Sequence, residues 1–454
     1  MQRGNRTIPK PNQLMINFFN PVPETGEQLS EEAQKKYYNT LKWHVFLSAT
    51  IGYGLYYVCR LCLNVVKTPL VKEGILSETE LGIVGSALFF SYAGGKFVNG
   101  FLADRVNIRK FMSFGLLSSA LLCIALGFKV SFVLFIILWA FNGWFQSMGA
   151  PPSVIAISRW FSGKERGSFY GFWSASHNIG ESITFIVISF AVTAAGWQWG
   201  FWGAGMFGII GALIIISFLY ETPESKGIYF LKEEKIAQQS NVSVAKQQMA
   251  VLKNPAIWIL ALSSSFMYIS RYAVNSWGVF YLENAKGFSI IEASSIISIS
   301  SVCGIVGTIL SGFVSDKFFK GSRNVPALMF GMLNTLAITL FVSVSKDYVW
   351  LFALSMVVFG ISIGGLVCFL GGLMAVDIAP KQATGAALGV VGVASYIGAG
   401  LQDIVSGKLI ANGKTTIGNQ VSYDFTYISI FWIGSALISM LLCLLIWKSK
   451  PKAL

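Results

Sequence analysis

Apolar runs of about twenty residues recur from one end of this 454-residue chain to the other. As a helix, a run of about that length matches the hydrocarbon thickness of a bilayer. Lipid offers nothing for a backbone N–H or C=O to bond, so a series of such runs dictates a bundle of helices. Mean hydropathy of +0.62 and a charged fraction of 12% agree with this; a water-soluble domain carries about twice that charge. Six runs fall near 45–66, 80–103, 111–128, 132–158, 168–195 and 198–220. Six more fall near 256–282, 289–314, 325–345, 348–376, 383–410 and 423–447. The expectation is an all-α membrane protein of twelve transmembrane helices. A polar tail (1–43) and six spans (44–220) lead to a Lys-, Glu- and Gln-rich connector (221–254), six further spans (255–447) and a short tail (448–454). The tail lacks the short apolar core and cleavage site of a leader and reads as retained. Leu231–Val251 in the connector reads as an amphipathic surface helix.

A net charge of +13 raises the question of a nucleic-acid partner. Its distribution answers it. With twelve spans both termini share one side, and that side carries 24 of the 34 Lys and Arg. The opposite loops hold six, at Lys67, Lys72, Lys129, Lys286, Lys346 and Lys414; Arg60, Lys96, Arg271 and Lys408 fall within spans. The bias places both termini in the cytoplasm, so the basic excess reports topology and no nucleic acid is implied. The six cysteines all lie inside spans with no disulfide or metal spacing, and His44 and His177 are the chain's two histidines. Small apolar packing is the reading for the thiols, with no metal and no cofactor expected.

The two halves echo one another. Tyr57 precedes Arg60 by three residues and Tyr268 precedes Arg271 by three; both pairs are offset by 211 residues. Gly100-Phe-Leu-Ala-Asp104-Arg105 returns as Gly312-Phe-Val-Ser-Asp316-Lys317, and Ala175-Ser-His177 as Ala394-Ser-Tyr396. Three coincident echoes indicate a duplicated six-span unit. An intramembrane arginine must face a bundle interior or a water-filled cavity. Span one supplies no carboxylate for Arg60, and span seven has only Glu283, beyond its outer end, so two facing guanidiniums make a site for one dianion. In the Gly-x-Leu/Val-x-Asp-Arg/Lys motif the glycine permits close helix contact. The aspartate caps the next helix or pairs with a base across a gate, which makes Asp104, Arg105, Asp316 and Lys317 gating candidates.

With two such halves the chain resembles the major facilitator superfamily. Finer motifs are Tyr56-Tyr57-x-x-Arg60, Ser91-Tyr92-x-x-x-Lys96, Asn142-Gly-Trp144, Lys164-Glu-Arg-Gly167, Trp173-x-x-x-His177-Asn-x-Gly180, Arg271-x-x-x-Asn275-x-Trp277 and Tyr396-x-Gly398. With these it is similar to the organophosphate/phosphate antiporters, and Asn275, Lys408 and the long tail resemble the hexose-phosphate branch, sensor-like members included. The resemblance implies phosphate binding by Arg60 and Arg271, with His177, Lys96, Tyr53, Tyr57, Tyr92, Trp144, Trp173, Tyr268, Asn275 and Tyr396 lining the cavity. It departs from the family where Leu61 follows Arg60, where Ser276 stands between Asn275 and Trp277, and where Glu181 follows Gly180. The arginine expected after Pro152 is also missing.

His177 and Glu181 are four apart on one helical face, a spacing that favours imidazolium. Glu181 pairs with Lys96 or a cavity arginine, or carries a coupling proton. Asp403 or Lys408 contacts a sugar hydroxyl, or the two pair locally. The leading functional expectation is a monomeric secondary transporter of a bacterial-type inner membrane, not an enzyme, exchanging a hexose 6-phosphate for inorganic phosphate. Two alternatives are a membrane sensor of external hexose phosphate with a signalling partner, and a proton-coupled organic-anion symporter.

Overall fold

The computed structural model describes residues 18–23, 30–229, 244–319, 323–380, 383–418 and 420–446. Within them are twelve helices long and apolar enough to cross a membrane: α1 Glu31–Lys72, α2 Glu78–Ala103, α3 Ile108–Leu126, α4 Phe132–Trp160, α5 Glu165–Ala195 and α6 Gln198–Phe218. The second set is α7 Pro255–Lys286, α8 Ile290–Ser315, α9 Asn324–Ser343, α10 Val349–Ile378, α11 Thr384–Asn412 and α12 Thr426–Leu445. Local chemistry sets their ends. Ser77 and Ser289 each close a capping box with the glutamate three residues on, Glu80 and Glu292, opening α2 and α8. These Ser-x-x-Glu signatures are 212 residues apart and form a further echo of the repeat.

Helix α1 extends beyond its apolar run at both ends. Ser30 caps its start by accepting from the Ala33 amide, inside the stretch read as polar tail. Its far end takes in Lys67, which is fully buried rather than in a loop. Of the connector helix expected over 231–251, residues 231–243 lie outside the described set; Val244–Leu252 is helical. Between α11 and α12 the chain makes an unforeseen hairpin of β1 (Lys414–Ile417) and β2 (Gln420–Tyr423).

Two repeat-related helices, α4 and α10, are both interrupted, though not at equivalent positions. In α4 the regular helix stops at Gln146 and resumes at Ala150, where Pro151 and Pro152 occupy positions whose N–H groups need no partner. In α10 the interruption is a π turn over Phe369–Leu373. Helix α5 is interrupted at Ala175 and carries its own π turn at Thr184–Ile188.

The halves meet closely at the end away from the termini. There α2 and α11 cross where Gly82 and Gly407 leave no side chain between backbones: a Cβ on Gly407 would lie 2.5 Å from the Glu78 carbonyl. A Cβ on Gly85 would collide with the Asp403 carboxylate, so that acid occupies the space glycine leaves. Asp403 is 3.8 Å from the Lys67 ammonium of α1 and accepts from Ser276 (2.6 Å) and Trp277 (2.8 Å) of α7. Lys67 also donates to Ser276 at 2.8 Å and lies 3.7 Å above the Trp277 ring. At the rim, buried Glu78 accepts from Lys414 (2.7 Å) and Tyr423 (2.6 Å) of the hairpin. Burial, and then the Glu78 carboxylate, push the Tyr423 hydroxyl above its ordinary pKa.

The opposite end is open. Gly100 and Gly312, expected to support close helix contact, face no neighbour within 4 Å. Asp104 and Arg105 are exposed, and Asp104 does not cap the next helix; Asn107 does, accepting from the Lys110 amide. Exposed Lys317 lies 5.0 Å from the Phe313 ring, and the Asp316 side chain is outside the described set.

Removing one partner of a buried pair leaves an unbalanced charge, at a cost of about 3–5 kcal/mol. Asp403→Asn keeps the hydrogen-bonding shape but leaves Lys67 unbalanced, so the closed end is expected to part. Spin labels at Lys72 and Thr416 should then lie farther apart than in the unsubstituted chain. An unchanged distance distribution would show that the pair does not hold this end shut.

Candidate functional site

Arg60 lies in the second half of α1, buried, between residues from both halves. Its guanidinium carbon is 4.0 Å from the Tyr92 ring centroid, 5.3 Å from Tyr57 and 5.6 Å from Tyr396. Tyr57 is there because it sits one turn earlier on the same face; Tyr92 comes from α2 and Tyr396 from α11. Aromatic faces attract the cation but accept few of its directed bonds. Its Nε and Nη2 are buried without a hydrogen-bond partner. Such donors are costly to leave unmet in a dry site, and a tetrahedral oxyanion meets them well.

Arg271 of α7 is equally enclosed, 5.8 Å from the Tyr268 ring and 5.6 Å from Tyr272. The Tyr396 ring is 4.5 Å from Tyr92 and 5.5 Å from Tyr268, so one aromatic bridges the two arginine environments. Lys96, one turn after Tyr92, is exposed, with its ammonium 5.5 Å from Tyr396. The Tyr396 ring thus has both the Arg60 guanidinium and the Lys96 ammonium near it.

Arg271, unlike Arg60, has a carboxylate. Its Nη2 is 3.8 Å from Glu181 Oε2, and Asn275 donates to the other Glu181 oxygen. The partner comes from α5, across the interface, which is why inspection of span seven alone missed it. Of the two pairings open for Glu181, the one made is with a cavity arginine. The expected His177–Glu181 pairing is not made. Although four apart, Glu181 turns toward α7, while His177 Nδ1 sits 2.5 Å from the Ser174 carbonyl and its ring 5.4 Å from Tyr57. The break in α5 at Ala175, immediately before this face, lets the two side chains diverge.

Trp173 stacks on Tyr53 at 4.9 Å, and Tyr53 meets Tyr57 at 5.6 Å, so both belong to the wall behind Arg60. Trp144 is half-buried, and among the described residues no recorded ring contact joins it to this cluster; its carbonyl accepts from Asn99. Asp403 is not a free sugar ligand, being held by Lys67, Ser276 and Trp277, and it does not pair with Lys408. Lys408 lies exposed near the closed end. Tyr272 and Lys67 were missed. Tyr272 has Leu61 as its repeat counterpart, so comparing halves gave no signal; Lys67 was hidden by the charge that made it look like a loop residue.

Below the arginines a cavity of about 440 Å³ runs between α5, α8 and α10 toward the open end. Its lining includes His177, Glu181, Arg271, Asn275, Ser301 and Thr308. That volume suits a small organic ligand, with Arg271 in its lining.

Comparisons with known proteins bear on the family and the fold. The family description Major Facilitator Superfamily matches residues 49–402. A "Probable hexose phosphate transport protein" of Chlamydia pneumoniae is 32% identical, over 87% of this chain and 91% of that protein. The "Membrane sensor protein UhpC" of Escherichia coli (strain K12) is 30% identical, over 84% and 88%. The "Glycerol-3-phosphate transporter" of Bacillus subtilis (strain 168) is 30% identical, over 97% and 99%. Among solved structures, a bacterial homologue of the human lysosomal transporter Spinster, inward-facing and unoccupied, superposes with a TM-score of 0.73 at 17% identity. It covers 91% of this chain and 99% of that one, and shares the fold. Twelve apolar helices, the repeat-related arginines and these relatives together establish a multi-pass membrane protein that belongs to the major facilitator superfamily, in its organophosphate/phosphate antiporter branch.

Proposed function

We propose that the chain exchanges a hexose 6-phosphate for inorganic phosphate by alternating access, in a bacterial-type inner membrane with both termini cytoplasmic. The observation that carries this reading is the buried Arg60 guanidinium with two unmet donors, which shares the Tyr396 ring with Lys96 and lies near Arg271, a residue lining a cavity. Phosphate would bridge Arg60 and Arg271 and draw α1 and α7 together. Closure at the open end would then let the Lys67–Asp403 contact part at the other. The relatives named for hexose phosphate and glycerol-3-phosphate transport support an organic phosphate as cargo. The Lys and Arg bias of the loops supports the orientation.

Without phosphate, Arg60 has no counterion, so the empty carrier is expected to reorient slowly and exchange to dominate over net flux. The test is reconstitution of the protein alone into phosphate-loaded vesicles. Arg60→Lys and Arg271→Lys should each cut phosphate self-exchange at least about a hundredfold while leaving the fold intact, since an ammonium lacks the planar fork of donors. Near-normal exchange by either variant would exclude a shared arginine site.

A sensor is the second reading, favoured by the relative named as a membrane sensor. In that case the same preparation would bind hexose phosphate but show no counterflow.

We assign Asp104, Arg105, Asp316 and Lys317 to the gate that shuts the open end. Asp104→Asn is expected to slow exchange while ligand affinity in detergent stays within a few-fold, because Asp104 is exposed at the end of α2, away from the arginines. Loss of affinity with normal turnover would remove it from the gate.

A further inference from the structure

Glu181 is a buried carboxylate in the wall of the cavity that Arg271 also lines. Arg271 and Asn275 hold it from one side, and the Ser301 hydroxyl of α8 stands beside it. Arg60 and Lys96 lie outside the lining, close to the Tyr396 ring; the formal charges of the site are those of Arg60, Lys96 and Arg271 against that of Glu181, with the histidine counted neutral. They leave two positive charges. A phosphate monoester carries about −1.5 to −2 near neutral pH, so one phosphate group balances them. The Lys67–Asp403 pair at the closed end is neutral as a unit and does not alter the balance.

Arg60 does not line the cavity, whose wall at the level of Arg271 is formed by Glu181, Asn275 and Ser301 and which continues past Thr308 toward the open end. A substrate anchored by its phosphate at Arg60 and extending into this cavity lays its other end beside the Glu181 carboxylate. Hydroxyl groups there donate to a carboxylate favourably. A second anionic group would stand near it in a low-dielectric site with no cation left over, and like-charge juxtaposition costs several kcal/mol.

We propose that Glu181, supported by Asn275 and Ser301, forms the subsite for the non-phosphate end of the substrate. It admits phosphate monoesters whose other groups are neutral hydrogen-bond donors and rejects those bearing a second anionic group. Glu181 is thus a specificity residue in addition to being the partner of Arg271. The inference rests on the reading of Arg60 and Arg271 as the phosphate site.

The test compares two probes of matched size, glucose 6-phosphate and 6-phosphogluconate, whose main difference is a carboxylate at the end remote from phosphate. Each competes with labelled inorganic phosphate in self-exchange by the reconstituted full chain. Glucose 6-phosphate should compete at least about tenfold better in the unsubstituted protein. In Glu181→Gln the ratio should fall to within about threefold, through tighter binding of 6-phosphogluconate. Equal competition in the unsubstituted protein, or an unchanged ratio in Glu181→Gln, would overturn the proposal. The first comparison needs no variant, so a poorly folded Glu181→Gln does not remove the test.

The same two ligands are also compared by binding to the purified protein in detergent. Discrimination retained there, with no exchange in vesicles, would overturn the exchange reading and uphold the subsite. Exchange without discrimination would do the reverse.

Discussion

A guanidinium inside a membrane-spanning bundle sets the terms for everything around it. Arg60 keeps its proton, is buried about three turns inside the end of α1, and has no carboxylate within ion-pair distance among the described residues. The fold answers with quadrupoles: Tyr57, Tyr92 and Tyr396 present ring faces to the cation from three helices in two halves. Rings lower the cost of the charge but leave directed donors unmet. A site of this kind is stable enough to persist and unsatisfied enough to bind an anion. Because the rings come from both halves, any movement of one half against the other changes the environment of the charge. That coupling of charge to geometry is what a carrier requires.

The second arginine is handled differently, and the asymmetry has consequences. Arg271 already has Glu181, so under the proposed function an incoming phosphate would share one arginine with a resident carboxylate and have the other to itself. Binding would then be anchored at Arg60 in the first half and completed at Arg271 in the second. Such an order suits a ligand that must bring the halves together, since the stronger unmet demand lies on one side and the closing contact on the other. It also means that the two halves, though built from one repeated unit, are not equivalent in the site.

The sequence made the scaffold legible because its constraints are one-dimensional. Run length, loop charge and the 211-residue offset each need only position along the chain, and they led to twelve helices and to Arg60, Arg271, Tyr57 and Tyr268. Lys96 and Tyr396 were found from resemblance and proved to share the arginine cluster. What the sequence concealed was pairing between helices. Glu181 was weighed against His177, four residues away, because helical spacing is visible; its contacts on α7 are not. Lys67 counted as a loop charge because a lysine at the edge of an apolar run ordinarily snorkels to water. Here Asp403 of α11 and the face of Trp277 hold it inside. The β hairpin was likewise hidden, since its strands of four residues each lie in a connection whose Thr, Lys and Gly content reads as loop.

The departures from family pattern noted at Leu61 and Ser276 acquire a physical meaning in this arrangement. A chain with lysine after the first arginine and aspartate before Trp277 would place an ion pair between α1 and α7, next to the phosphate site. Here Leu61 and Ser276 supply neither charge. Lys67, six residues on and so about 9 Å further along the helix, restores the cation, and Asp403 brings the anion from α11 to the same tryptophan. Ser276 remains in contact, linking the two by hydrogen bonds to both. The pair lies in the seam that closes the far end, where Gly85 leaves room for its carboxylate. Both charges are thereby committed to joining α1 of the first half to α11 of the second. The Arg271–Glu181 pair lines the cavity instead, with Arg60 and Lys96 close to the Tyr396 ring.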